Sequence, residues 1–164
     1  MADGECKPVT VSRRIEAPAS VIFQLLADPA RHPAFDGSGM LRPGAPAAVI
    51  ADVGDVFVMK MQNESLGHYE MENHVVEYEK DRRIAWDPAL HAVDLPGQAP
   101  VAIGVPAGQR WAFDLVPDGP DATTVTEIYD CTGAPARIRA AVDDGNGWIE
   151  AMTKTLERLD ELST

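Results

Sequence analysis

The chain has 164 residues, of which 45% are apolar and 24% are charged, ordinary proportions for one globular domain. Acidic residues outnumber basic residues by 26 to 14, which gives a formal net charge of −12. Such a charge repels phosphate backbones and anionic headgroups, so we expect no nucleic-acid partner and no docking on an anionic membrane.

Cysteine usage and hydropathy predict a reduced cytoplasmic protein. The two cysteines, Cys6 and Cys131, show no spacing typical of a disulfide framework or of a CxxC motif. The N-terminus lacks the order of a signal peptide, and no apolar run approaches the roughly 20 residues that cross a bilayer. We therefore expect no membrane insertion. We further expect a monomer or homodimer, in which residues 1–7 form a flexible tail and residues 8–164 form one ligand-binding domain.

The first part of the chain predicts one strand and two short helices. Residues 8–16 alternate between apolar and polar side chains, as in a half-buried strand. Apolar residues over 21–26 recur at helical spacing, with Ser20 as a candidate N-cap and Pro18 as a candidate for the first helical position. A second short helix is predicted over 29–35. Residues 40–54 should then be irregular, with a short extended piece near Val49.

The middle of the chain predicts an antiparallel meander. Apolar and polar side chains alternate over 54–61 and 68–79, and a third strand covers 82–86, with short turns between them. Two further strands, at 111–115 and 123–129, flank a turn rich in Pro and Gly and predict a hairpin.

The segment 88–108 interrupts these strands and is rich in Pro and Gly, yet mostly apolar. It is predicted as a loop, and loops of this length in compact domains are commonly functional or disordered. Three interpretations stay open: a lid over a site, a surface that docks another protein, and a solvated insertion.

The end of the chain predicts a short helix over 134–142 and a long amphipathic helix over 148–162, with Asn146 as a candidate cap. The apolar stripe of the long helix must be buried, and the sheet is the available surface. The predicted fold class is therefore α+β, in which a curved antiparallel β-sheet grips a long C-terminal helix and two short helices follow the first strand. A gap between the sheet and the helix is the expected site.

This order of elements resembles the START/polyketide-cyclase superfamily (SRPBCC, helix-grip fold), in its bacterial polyketide cyclase/dehydrase-like branch. The resemblance spans residues 8–163 and is carried by IEAPASVIFQLLADPARHPAFDGSG, GDVFVMKM, YEMENHVVEYEKDRRIAW, RWAFDLVP with TTVTEIYD, and WIEAMTKTLERLDEL. It implies a cavity for lipids, hormones, polyketides or other apolar ligands, and a minority of members are cyclases or dehydratases. It assigns no catalytic residue.

Strand parity selects the side chains that would line this cavity, because alternate residues of a strand share one face. The predicted ligand-binding residues are Phe57, Met59, Met61, Tyr69, Met71, Asn73, Trp86, Trp111, Phe113, Glu127, Tyr129, Trp148 and Met152. Asn73 could orient a ligand carbonyl. Glu127, if buried, should have a raised pKa suited to acid–base catalysis. The alternative is that Glu127 meets an arginine or water and that Asn73 satisfies the backbone.

Three functional hypotheses follow: a binding protein for a small, largely apolar, lipid- or polyketide-like molecule; a cyclase or dehydratase that uses Glu127; and an interaction module that docks through 88–108. We predict no cofactor and no metal site. The row His68, Glu70, Glu72 and His74 is interpreted as a solvated strand face. His32, Asp36 and Ser38 are interpreted as a cap or pocket mouth, since no GxSxG elbow accompanies them.

Overall fold

The computed structural model describes residues 6–45, 48–64, 66–93 and 102–164. Its elements, in chain order, are β1 (Val9–Ile15), α1 (Ala19–Leu26), a 3₁₀ turn (Pro29–Arg31), α2 (His32–Phe35), β2 (Leu41–Arg42), β3 (Val56–Asn63), β4 (Gly67–Glu79), β5 (Arg83–Val93), β6 (Arg110–Pro117), β7 (Thr123–Asp130), α3 (Ala136–Ala141), a second 3₁₀ segment (Asp143–Trp148) and α4 (Ile149–Ser163). No helix in these described ranges is long and apolar enough to cross a membrane.

The strands form one seven-stranded antiparallel sheet in the order β1-β7-β6-β5-β4-β3-β2. The first strand pairs with the last, so that Val9 lies opposite Tyr129 and Ile15 lies opposite Thr123. The long helix α4 packs against β1, β7 and α2. The predicted α+β helix-grip fold is confirmed.

The buried residues recur along each strand and helix with the periodicity that the sequence shows. Along β7 every second residue is buried, including Val125, Glu127 and Tyr129. In α4 the buried residues Met152, Leu156 and Leu159 recur at helical spacing. Residues of α1, β1 and the C-terminal half of α4 fill one end of the space between sheet and helix, which leaves the other end for a cavity.

The segment 88–108 is not wholly a loop, because β5 continues through residue 93. Pro88 is tolerated within this strand for a topological reason. In the described residues, β6 pairs with β5 only as far as Trp86, opposite Trp111, so β5 is an edge strand on that side beyond this point. Proline lacks the N–H that a central strand would need, and it is accepted at an edge. Residues 94–101 of the predicted loop lie outside the described residues.

Three local predictions are wrong. The short extended piece lies at Leu41–Arg42, where it pairs with β3, and not near Val49. Helix α1 begins at Ala19 and has Pro18 at its N-cap position, without a side-chain cap from Ser20. Asn146 does not cap α4, because the helix continues directly from the preceding 3₁₀ segment, whose last residue already has helical backbone angles.

Candidate functional site

A cavity of about 470 Å³ lies between the concave face of the sheet and helices α2, α3 and α4. Most of its walls are apolar. Most of the predicted ligand-binding residues line it, namely Met59, Met61, Tyr69, Met71, Asn73, Trp86, Trp111, Phe113, Glu127, Trp148 and Met152.

Two predicted residues, Phe57 and Tyr129, do not line the cavity. The ring of Phe57 packs edge-on against His32 and Trp86, with centroids 5.6 and 5.3 Å apart. Tyr129 packs against Trp111 and Trp148, and its hydroxyl donates to the side-chain oxygen of Gln109. Strand parity places both side chains inward, as expected, but neighbouring rings cover them.

The remaining lining residues come mainly from loops and helices; among them, the sequence analysis had interpreted only His32, Asp36 and Ser38 as a cap or pocket mouth. The full set is His32, Phe35, Asp36, Ser38, Met40, Leu41, Asn63, Leu66, Pro88, Leu90, Gln109, Arg137, Ile138, Ala141, Val142, Ala151 and Thr155. Helical spacing could have found Ala151 and Thr155, since they follow Trp148 by three and seven positions. The residues of α3 carry no such signal.

Glu127 is the buried acid of the cavity. It belongs to the buried face of β7, and the residue is only 5% exposed. Its Oε1 atom has no hydrogen-bond partner among the described residues. Burial, and secondarily the nearby charge of Asp36, raise the pKa of Glu127 well above its ordinary value of 4.5. Burial therefore favours the neutral, protonated form of this carboxyl group.

The amide of Asn73 and the hydroxyl of Tyr69 add further polar atoms to the wall formed by β4. Asn73 is buried, and its Nδ2 atom donates to the Phe57 carbonyl at 3.3 Å, across the β3–β4 pair. The Tyr69 hydroxyl accepts a hydrogen bond from Asn63 at 3.2 Å, and burial raises the pKa of Tyr69 to about 12. Both side chains are neutral and face an apolar space.

His32 contributes a neutral imidazole from α2. Its Nε2 atom donates to the Leu26 carbonyl at 2.7 Å, so the proton of the neutral ring is on Nε2 and Nδ1 is an acceptor. Burial lowers the pKa of His32 from 6.5 to about 4. The Ser38 hydroxyl donates to Asp36 at 2.8 Å, while His32 bonds to the Leu26 carbonyl. The three residues therefore do not form a nucleophilic triad.

The loop after α2 is tied to α4 at the edge of the cavity. The backbone N–H of Gly37 donates to the Thr155 hydroxyl at 2.9 Å, and Arg158 donates to the Asp36 carbonyl. A Cβ atom at position 37 would lie 2.2 Å from the Ala151 carbonyl oxygen, so only glycine permits this approach. The contact fixes the Asp36 carboxylate beside the cavity.

The row on the other face of β4 lies outside the cavity. His74 and His91 each contact the Glu72 carboxylate, at 2.8 and 2.9 Å. The hydrogen bond with His91, followed by that with His74, lowers the pKa of Glu72. His91 belongs to the part of β5 that lies within the predicted loop 88–108.

Residues 16–163 match the family model described as "Activator of Hsp90 ATPase homolog 1-like protein" (AHSA1-like). The chain belongs to this AHSA1-like family. A relative with 30% identity over 131 residues is an uncharacterized protein of Mycobacterium tuberculosis; the match covers 79% of this chain and 50% of the relative. The chain thus spans about half the length of the curated relatives it matches.

Solved structures share the fold of this AHSA1-like protein. A crystal structure of a Rhodobacter sphaeroides protein superposes with a TM-score of 0.66 at 16% identity, covering 97% of this chain and 93% of that one. DynU16, a protein of the dynemicin biosynthetic locus, gives a TM-score of 0.57 at 17% identity, covering 93% and 47% of the two chains. At these identities the likeness shows the fold alone. With the family match, it confirms the predicted START/SRPBCC superfamily.

Proposed function

We propose that this protein binds a small, largely apolar molecule, lipid- or polyketide-like in character, in the cavity between the sheet and α4. One observation carries the proposal. The carboxyl group of Glu127 is buried in the wall of a cavity of about 470 Å³, and its Oε1 atom has no partner among the described residues. A buried polar atom without a partner is costly, and a ligand atom that bonds to it would recover that cost.

The raised pKa of Glu127 favours its protonated form, which indicates the chemistry of the ligand. A protonated carboxyl group donates one hydrogen bond and accepts another, which suits a carbonyl or hydroxyl group on an uncharged molecule. The nearby charge of Asp36 disfavours an anionic group beside Glu127. Affinity would come mainly from apolar area removed from water, at roughly 25 cal/mol per Å². Met59, Met61 and Met71 provide an adaptable wall for it.

Native mass spectrometry of the purified full chain, followed by denaturing extraction, tests this proposal. We expect a co-purifying adduct that extraction releases and that an uncharged apolar probe displaces. Glu127→Leu should reduce its occupancy, because the carboxyl group that bonds to the ligand is removed. Glu157→Leu changes an exposed glutamate on α4 and serves as the matched control. A clean protein mass together with no binding of any apolar probe would contradict the proposal.

A second candidate function is a cyclase- or dehydratase-type enzyme. It is favoured by a carboxyl group with a raised pKa, Glu127, and a neutral imidazole, His32, in the wall of the same cavity. The acid could protonate a ligand carbonyl while a base accepts a proton elsewhere on the molecule. Incubating the extracted ligand with the protein tests this: Glu127→Gln should abolish turnover and spare binding. Turnover that survives the change would exclude Glu127 as the acid.

A further inference from the structure

The two cysteines meet because the first and last strands of the sheet are neighbours. Val9 lies opposite Tyr129 in the β1–β7 pair, so continuing this register places position 7 opposite position 131. Cys6 and Cys131 therefore lie side by side, with their sulfur atoms 3.7 Å apart. Both are free thiols.

A carboxylate completes a cluster with these sulfurs. Asp144 lies in the 3₁₀ segment before α4, and its backbone is left-handed, with a φ of 52°. The following Gly145 packs so closely on β1 and β7 that a Cβ atom there would be 3.0 Å from the Tyr129 ring. This packing brings the Asp144 carboxylate to the two sulfurs, and the three potential ligand atoms all lie within 4.8 Å of one another. In the described part of the chain, no other trio of His, Cys, Asp or Glu residues forms such a group.

We propose that Cys6, Cys131 and Asp144 bind one thiophilic divalent cation, for which zinc is the best match. Two thiolates bound to one tetrahedral zinc at about 2.3 Å each are roughly 3.8 Å apart. The observed separation is 3.7 Å. A disulfide would instead need the sulfurs at about 2.05 Å. Two thiolates and one carboxylate form a ligand set that zinc accepts, with a water molecule as the fourth ligand.

The surroundings of the cluster support this assignment. Arg139 donates to the Asp144 Oδ1 atom at 3.1 Å, which orients the carboxylate and leaves Oδ2 for the metal. Cys131 is buried, while Cys6 is half-buried and gives access from solvent. Binding would release the protons of both thiols. It would also fasten the segment before β1 to the end of β7. The sequence gives no sign of the site, because the cysteines are 125 positions apart.

Cobalt titration of the reduced full chain tests the proposal, because Co²⁺ substitutes for zinc and reports thiolate ligands by charge-transfer absorption. We expect one equivalent to bind, with thiolate-to-cobalt absorption that Zn²⁺ displaces. Cys6→Ser should lose at least half of this absorption and weaken binding by more than about 100-fold, since outer-shell losses alone cost 10- to 100-fold. Arg139→Ala should weaken binding by about 10-fold.

Asp144→Asn and Asp143→Asn form a matched pair. The two neighbouring aspartates share the left-handed backbone, with φ values of 52° and 53°, but only Asp144 belongs to the cluster. We expect the first change to weaken cobalt binding and the second to leave it unchanged. Circular dichroism checks that each variant is folded.

The proposal is overturned if protein with two titratable thiols binds no cobalt, or if Cys6→Ser binds cobalt with undiminished absorption. It is also overturned if the reduced chain binds no metal and air oxidation lowers the intact mass by the mass of two hydrogen atoms. That result would show that the two cysteines form a disulfide instead. These outcomes do not depend on the cavity, whose ligand is measured separately.

Discussion

His32 stacks on Trp86, with the centroids of the two rings 5.5 Å apart and the ring planes inclined by 22°. Its Nε2 atom is held by the Leu26 carbonyl at the end of α1. The imidazole is thus enclosed by aromatic rings and backbone, which explains why it is neutral. Burial also raises the pKa of Glu127, so it favours the uncharged form of both ionisable groups in the cavity wall.

The contribution of His32 to stability should fall as pH is lowered from about 6.5 to about 4, while Glu127 acts in the opposite direction above about pH 4.5. Burial lowers the pKa of His32 from 6.5 to about 4. Between these pH values the residue is protonated in the unfolded chain but not in the native protein, which favours unfolding. The loss from this residue is on the order of 3 kcal/mol when complete. Urea unfolding across this pH range measures it. His32→Gln removes this contribution at an overall cost of about 2 kcal/mol, so the difference in unfolding free energy between wild type and variant should change across the window. His68→Gln, on the exposed face of β4, is the control.

Glu127→Gln should stabilise the ligand-free protein at neutral pH. The raised pKa of Glu127 means that, above about pH 4.5, the unfolded chain loses a proton that the native protein retains, so the contribution of Glu127 to native stability falls as pH rises. Glutamine cannot ionise, and the gain should be on the order of 1–3 kcal/mol at pH 7 and vanish below pH 4. Denaturant midpoints at pH 4 and pH 7 test this against Glu157→Gln. An equal effect at both pH values would contradict the burial of a neutral acid.

Trp111→Ala should weaken the binding of an uncharged apolar probe by at least about 10-fold, because it removes a large ring from the cavity wall. The ring also packs at 4.5 Å from Tyr129, so we expect a stability loss of about 2–4 kcal/mol. Trp111→Phe retains an aromatic ring and should show a smaller loss of both. Val116→Ala, at an exposed position of the same strand, is the control. Probe titration and denaturant unfolding give the two quantities; unchanged affinity in folded Trp111→Ala would remove this residue from the site.

Asn73→Ala should destabilise the protein by about 1–3 kcal/mol, because the Phe57 carbonyl loses a buried donor. It should weaken probe binding modestly, by about 2- to 10-fold, if the amide orients the ligand. Equilibrium unfolding and probe titration separate the two effects. Full destabilisation with unchanged affinity would leave Asn73 a purely structural role.

Gly37→Ala should cost about 2 kcal/mol or more, because the added Cβ atom would meet the Ala151 carbonyl at 2.2 Å. The loop carrying Asp36 would have to move away from α4. Gly133→Ala is the matched control, since its nearest contact would be an ordinary 3.4 Å. Thermal unfolding compares the two. Equal stability of both variants would show that the loop does not depend on this contact.

The sequence by itself determined the sheet, the long helix and much of the concave wall. Alternation along a strand fixes which side chains share a face, so the inward direction of Asn73 and Glu127 followed from the covalent chain. Local spacing likewise predicted the buried residues Met152 and Leu156 of α4. These features depend on neighbours along the chain, which a single sequence shows.

Only the tertiary structure decided which groups meet across long separations. Ring packing covered Phe57 and Tyr129, and the burial of His32 came from contacts with β3 and β5. Because β6 pairs with β5 only as far as Trp86, β5 can continue through Pro88. The pairing of β1 with β7 brings Cys6 next to Cys131. Such contacts depend on the free energy of packing between distant segments, and no local period in the sequence records them.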